Sequence, residues 1–215
     1  MTCFRPVYTE RGEVRRDHPD RHGGSGMRRV EYGTGRQELL EAAIHVVAAQ
    51  GLRGLTFRSV ATEAGVTHGA VQYHFGSWDN LVAEALGFAV KRSIDTAGLK
   101  PAGPGFEDFA GALVASIAAD PELQAFQFEL TLEARRRAEL LPTVAKAYDA
   151  YRSAVHEALT ASGLSDPALS EIIVVALDGL VFQQTVFGDV ERTQKALKML
   201  RTMLSVYAET KSAGL

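Results

Sequence analysis

Residues Thr56 to Trp78, TFRSVATEAGVTHGAVQYHFGSW, allow very few local structures. They read as two short helices joined by a tight turn. Thr56 carries the side chain of an N-cap, able to accept from the first free backbone N–H groups. Val60, Ala61 and Ala64 then fall on one face at helical spacing. Gly65 terminates this helix because it tolerates positive φ, and Val66 is the apolar plug of the turn. Thr67 is a second N-cap, followed by Ala70, Val71 and His74. The small side chains of Ala61 and Ala64, with Gly65, let two helices cross closely, as a helix-turn-helix requires. The second helix of such a unit lies in the major groove of DNA with its N-terminal residues at the base edges.

The flanking sequence continues the helical pattern. Leu39, Leu40, Ala43, Ile44 and Val47 form a stripe over about Gln37–Gln50, which Gly51 ends. Ser77 opens a further helix with Asp79 in its first turn, favourable to the helix dipole. Its apolar face is Leu81, Ala85, Phe88 and Ala89, and it runs to about Ala97 before Gly98 and a Lys-Pro-Ala-Gly-Pro-Gly segment. Five more helices are predicted: about Phe106–Ala119; Pro121 to about Arg137, opened by Asp120-Pro121-Glu122; Pro142 to before Gly163; one opened by Asp166-Pro167 and ended by Gly188; and one capped by Asp189 and running to about Thr210. No β-hairpin signal or repeat is visible, so the predicted fold class is all-α.

Charge is unevenly placed. The chain has a formal net charge of −3, yet residues 1–36 hold eight arginines against five acids. Residues 1–34 read as a disordered basic arm. Arg28, Arg29 and Arg36 are candidates to reach phosphates or a minor groove. From Gln37 to Leu86 the fixed cations are Arg53 and Arg58, against Glu38, Glu41, Glu63, Asp79 and Glu84. Phosphate contacts normally supply much of the affinity for DNA. Such a headpiece must lean on backbone N–H groups, helix N-termini and the arm. Cys3 is the single cysteine, so no internal disulfide forms and a reducing cytoplasm is expected. No run of eighteen or more apolar residues and no apolar leader stand out, so neither a transmembrane helix nor a secretory signal is expected.

The block GVTHGAVQYHF followed by Ser-Trp-Asp-Asn-Leu resembles the DNA-binding domain of TetR-family transcriptional regulators, from about Gly35 to Leu86. The resemblance implies a three-helix helix-turn-helix domain over residues 35–86 and a larger helical effector-binding and dimerisation domain over 87–215. It implies that Thr67, His68, Gly69, Gln72, Tyr73 and His74 face DNA, with Arg58 from the preceding helix and Trp78 from the next. The chemistry agrees. Thr67 and the amides after it suit a phosphate, His68 can donate from the first turn, and Gly69 permits close backbone approach. Gln72 can pair bidentately with adenine, Tyr73 and His74 can donate to phosphates, and Arg58 can bind guanine or phosphate. Ala70, Val71, Gln72 and Trp78 replace the usual Thr, Leu, Tyr and Lys, which puts phosphate contacts at Ala70 and Trp78 in doubt. Val71 and Phe75 read as core. His68 and His74 are six apart, the wrong spacing for two ligands on one helical turn, so no metal site is expected.

The same resemblance implies a small-molecule pocket in the larger domain. Gln127, Tyr148, Tyr151 and Gln183 are its candidate polar contacts, each set beside an apolar stripe where a buried polar group needs a partner. Glu129 and Glu133 are candidates to meet a cationic ligand, with the tyrosines adding cation–π contacts. No cofactor is implied. The run from Glu133 to Glu139 reads as a solvated helix end. The helix before Gly188 is apolar on more than one face, from Ile172 to Phe187, and must be buried nearly all round. The last helix offers Leu197, Leu200, Leu204 and Tyr207 as a stripe, with Met199 and Met203 beside it. Two such helices from each of two chains would form a four-helix homodimer interface. The expected function is a ligand-responsive regulator, a repressor released from a palindromic double-stranded operator by a small molecule. The alternative is an architectural DNA-binding protein without effector. Hydrolase, nucleotide-binding and zinc-peptidase signatures are absent, and Asp178 and His156 lack a recognisable nucleophile partner, so an enzyme is not expected.

Overall fold

The computed structural model describes residues 34–99 and 105–212, and among them the only regular elements are helices. The expected basic arm, with Arg28 and Arg29, lies outside the described residues. α1 (Thr34–Gln50), α2 (Phe57–Glu63) and α3 (His68–Phe75) build the headpiece, and α4 (Trp78–Thr96) leads out of it. α5 (Leu113–Ala119), α6 (Pro121–Glu133), α7 (Leu141–Ala161), α8 (Pro167–Phe187) and α9 (Val190–Ser212) follow.

Local chemistry sets most helix ends. Thr56 and Ser59 form a reciprocal capping box on α2. Thr67 Oγ1 accepts from the Ala70 amide at 3.2 Å and Ser77 Oγ from the Asn80 amide at 3.1 Å. Asp120 and Asp166 cap α6 and α8, each followed by Pro in the first turn. Gly65, in the headpiece turn, has φ 67° and Gly188, closing α8, has φ 67°, a conformation that side chains with a Cβ resist.

Two predicted ends differ. The helix expected from Phe106 begins only at Leu113. Phe106, Phe109 and Ala110 are buried in the preceding turn, and Ala110 has φ 52°. The Arg201 guanidinium of α9 donates to the Phe109 and Ala110 carbonyls at 2.8 and 3.2 Å, replacing helical partners. Gly98 meets this turn so closely that a Cβ there would lie 3.0 Å from the Ala112 amide nitrogen. α6 ends at Glu133 rather than near Arg137, and a short 3-10 turn, Ala138–Leu140, leads into α7.

One core joins the headpiece to α4, α6 and the start of α7. Val47, Val60, Val71, Leu81, Phe126 and Leu130 are all fully enclosed in it. α1 packs on α2, α4 and α6, so the packing does not part at residue 86. A second core gathers α5, α7, α8 and α9 around Phe106, Ile117 and Leu159. Val71 and Phe75 are buried as expected.

α8 is 21 residues long, with a mean hydropathy of 1.4 over its most apolar stretch, enough by length and composition to cross a membrane. It packs on α5, α6, α7 and α9. The expectation that it is buried nearly all round fails within one chain. Ile172, Val175, Phe182 and Val186 stay exposed along one stripe, with Phe187 beyond them. On α9 the Leu197 and Leu204 side turns inward, and Met199, Met203 and Val206 face out.

Candidate nucleic-acid interface and cavity

α3 is fastened by its inner face and its C-terminal end, leaving its capped start and its outer face exposed. Val71 and Phe75 sink into the core, while Thr67, His68, Gly69, Gln72 and Tyr73 are exposed, Tyr73 by 73%. A Cβ at Gly69 would meet only the Thr67 hydroxyl, at 4.0 Å, so the backbone there is open to close approach. The His68 ring lies 5.9 Å from that of Phe57. His74 is half-buried between Tyr73 and Phe75, with ring centres 5.7 and 6.3 Å away. Arg58 is exposed on α2. Six of the eight candidate residues thus lie on α3 or at its cap, five of them exposed, and Arg58 is exposed on the neighbouring α2.

Trp78 is the exception. Its indole N–H donates to the Leu55 carbonyl at 2.9 Å, and the Arg137 guanidinium lies over its ring at 4.5 Å. The donor is used inside the protein, so Trp78 is a joint between the headpiece and the end of α6 rather than a phosphate contact. The same contact reassigns Arg137, which the sequence placed at a solvated helix end.

Arg36 also departs from expectation. It makes a paired salt bridge to Glu84 of α4 at 2.6 Å, donates to the His74 carbonyl at 2.8 Å, and stands 5.0 Å from the Phe75 ring centre. Asn80 donates to the Phe75 carbonyl at 3.1 Å. Two of the carbonyls left open at the end of α3 are therefore held by α1 and α4. Arg36 is a clamp on α3, its guanidinium taken up by Glu84 and the His74 carbonyl rather than left free for a phosphate.

A cavity of about 90 Å³ lies among α4, α5, α6, α7 and α8. It is several times the roughly 10–15 Å³ that one water needs. At one end Ser93 Oγ accepts from Gln124 and Gln127 side-chain amides at 3.3 and 3.1 Å, and the Tyr151 hydroxyl donates to Gln127 Oε1 at 2.6 Å. Burial pushes the Tyr151 phenol up to about 12, against the hydrogen bonds to Ser93 and Gln127. At the other end the Tyr148 hydroxyl faces both Asp178 carboxylate oxygens at 3.5 Å. Burial raises the Asp178 carboxyl above the usual carboxylate range, and burial together with the Asp178 charge raises the Tyr148 phenol.

Gln127, Tyr148 and Tyr151 line this cavity as expected from their places on α6 and α7. Gln183 does not. It is exposed, whereas its neighbour Gln184 is buried and accepts from the Thr193 hydroxyl at 2.7 Å at the α8–α9 turn. Glu129 is also exposed, and Glu133 pairs with Arg136. The acid of the cavity is Asp178, which sequence reasoning noticed only as an isolated carboxylate. Its position as the one polar side chain between Ile172 and Phe182 of α8 was the available signal.

Comparison with known proteins agrees with this architecture. Residues 39–85 match the profile of bacterial regulatory proteins of the tetR family, and residues 104–206 match the tetracyclin repressor-like C-terminal domain. The HTH-type transcriptional repressor KstR2 of Mycobacterium tuberculosis (strain ATCC 25618 / H37Rv) is 43% identical over 51 residues, 24% of this chain and 26% of that protein. The chain spans about a third or less of the length of the curated relatives it matches. A solved member of the TetR family from Streptomyces coelicolor A3 is 31% identical, with a TM-score of 0.63 over 80% of this chain and 98% of that one. The multidrug binding protein EbrR complexed with proflavin is 29% identical, with a TM-score of 0.52 over 79% of this chain and 99% of its own. On the helix-turn-helix geometry, the two matched regions and a full-length structural relative, the chain belongs to the TetR family of bacterial regulatory proteins.

Proposed function

We propose that this protein is a DNA-binding transcriptional repressor that works as a homodimer and leaves its operator when a small molecule enters the α4–α8 cavity. The observation that carries the reading is the orientation of α3, whose capped start and outer face are exposed while its inner face is buried and its C-terminal end is clamped. Thr67 and the first amides of α3 bind a phosphate. His68 and Gln72 read base edges, Tyr73 and His74 donate to the backbone, and Arg58 adds a cation from α2. Headpiece charge is low, so these placed donors carry more of the affinity than bulk attraction does.

α4 supplies the link. Its Glu84 and Asn80 hold the end of α3 directly or through Arg36, and its Ser93 lies on the cavity. A ligand that favours a different spacing of α4 from α6 shifts the recognition helix with it. The loss of DNA affinity is bounded by the ligand's preference for that second state. The cavity and its polar cluster favour this reading over an architectural protein without effector. The relation to EbrR, which was solved with proflavin bound, points the same way. The exposed apolar stripes of α8 and α9 provide the dimer face, and a cytoplasmic location follows from the DNA partner.

The test is selection of bound fragments from random and genomic DNA, followed by footprinting. Two-fold symmetric sites with half-sites about 34–36 Å apart, or a multiple, are expected. A His68→Ala, Tyr73→Ala double variant that keeps full affinity would falsify the assignment of the interface.

A further inference from the structure

The two polar groupings of the cavity make different demands. Ser93, Gln124, Gln127 and Tyr151 satisfy one another, and no buried side-chain nitrogen or oxygen among the described residues lacks a partner. That cluster asks nothing of a ligand. Asp178 does. It is the one charged side chain lining the cavity, its hydrogen-bond partner is the neutral Tyr148 hydroxyl at a long 3.5 Å, and burial opposes its ionisation. The Arg152 guanidinium, 5.9 Å from the Tyr148 ring centre, is committed to Asp149 and Glu171 at 3.1 and 2.8 Å. Among the described residues no cation pairs with Asp178. A half-buried carboxylate without a counter-charge is costly, and a helix bundle gains nothing in packing from it that Asn or Leu would not supply.

We propose that the cavity takes a compact, largely apolar molecule bearing a protonated amine, with Asp178 as counter-ion and Tyr148 beside the cation. The inference rests on the ligand-responsive reading above and adds the chemical class of the effector. The ammonium N–H groups donate to the Asp178 carboxylate, and the Tyr148 oxygen and ring are placed to contact the same head group. Aliphatic side chains of α4, α5 and α8, with Phe128 of α6, enclose the apolar body. An anionic ligand is disfavoured, because no lining cation would receive it and Asp178 would repel it.

A pH signature follows. The titratable side chains facing Asp178 are Tyr148 and Tyr151 of α7, both neutral at ordinary pH, and α4, α5 and α6 contribute no titratable group to the lining. Bound ammonium favours ionised Asp178. Amine affinity therefore rises as pH climbs through the raised Asp178 value, then levels off.

The experiment uses matched probes of one shape: 2-(2-naphthyl)ethylamine, 2-(2-naphthyl)ethanol and 2-naphthylacetate, with their phenyl counterparts. Binding to the full chain is measured by calorimetry, and release of the selected operator by fluorescence anisotropy. The amine of at least one pair is expected to bind at least tenfold more tightly than its alcohol. Asp178→Asn should erase that preference and its pH dependence while alcohol affinity stays within about twofold. Tyr148→Phe, which keeps the ring, should retain most of the preference. Equal or tighter binding of alcohol or carboxylate, or a preference that survives Asp178→Asn, overturns the amine assignment. In that case operator release by the alcohol or carboxylate leaves the ligand-responsive reading standing. If none of the six binds up to millimolar concentration, both the amine assignment and the cavity's role as effector site fall.

Discussion

Trp78 shows how a side chain expected to meet DNA can belong to the scaffold instead. Its N–H is the partner of the Leu55 carbonyl, in the loop between α1 and α2, and its ring carries Arg137. Trp78→Phe leaves that carbonyl without its donor and is expected to lower stability by about 1 kcal/mol, read by urea unfolding. The slope of DNA affinity against salt should not change, since no phosphate partner is lost. Asp178 makes the opposite case. Its raised carboxyl pKa means that the folded state disfavours its ionised form, so at pH 7 the folded protein is penalised relative to the unfolded chain. Asp178→Asn should therefore raise the unfolding midpoint at pH 7. The gain should fade as pH falls through the raised value and vanish below the unfolded value of about 3.9, where both states are protonated. A variant less stable than the wild type at pH 7 would contradict this. At this scale the outward side chains of α3 were legible because helix phase from a capped start at Thr67 sets which side chains are exposed and which, like Val71 and Phe75, are buried. Gln183 was misplaced because α8 is apolar on several sides, and its phase cannot be read from hydropathy alone. One residue on, Gln184 has the buried position.

Among the helices, α6 joins α4 in connecting the cavity to the headpiece. Its middle lines the cavity with Gln124 and Gln127. Its N-terminal end is tied through Arg92 to Asp120 and to Glu41 of α1 at 3.3 and 3.4 Å, and the chain just past its C-terminal end lies against Trp78. Gln127 joins α6 to Ser93 of α4 and Tyr151 of α7. Gln127→Leu removes the acceptor of a buried tyrosine hydroxyl and is expected to cost about 1–3 kcal/mol in thermal or denaturant unfolding. The clamp at the other end of α4 yields to a separate test. Arg36→Ala frees the His74 carbonyl and leaves Glu84 unpaired; the pair is half-exposed, so about 1–2 kcal/mol is expected. The accompanying signature is faster amide exchange in α3 than in α2, with weaker DNA binding. Helix starts at Thr56, Thr67, Ser77, Asp120 and Asp166 were visible in the sequence because capping is a matter of a few neighbouring residues. The late start of α5 was not visible. It depends on Arg201, some ninety residues away, whose guanidinium holds the turn in place of helical bonds.

For the molecule as a whole, the unresolved demand is the outer surface of α8 and α9. Ile172, Val175, Phe182 and Val186 recur on α8 at spacings of three, seven and four, with Gly179 at the intermediate position, and no atom lies near where its Cβ would be. Met199, Met203 and Val206 make an exposed stripe on α9. Exposed apolar stripes of this kind on two packed helices mark a contact with another molecule. On the repressor reading proposed above, a second copy is the partner expected on this face, because one short recognition helix with few cations binds weakly and two held in register bind far better. Placing charge on this face separates dimerisation from folding. In a Val175→Glu, Met203→Glu variant both substitutions are at sites more than half exposed in the single chain, so the helical circular dichroism and the monomer fold should persist. Sedimentation at micromolar concentration should show the monomer in place of the dimer. Affinity for a full operator should fall by about two orders of magnitude, while affinity for an isolated half-site changes little. A variant that still sediments as a dimer would remove α8 and α9 from the interface and leave their apolar stripes to some other partner.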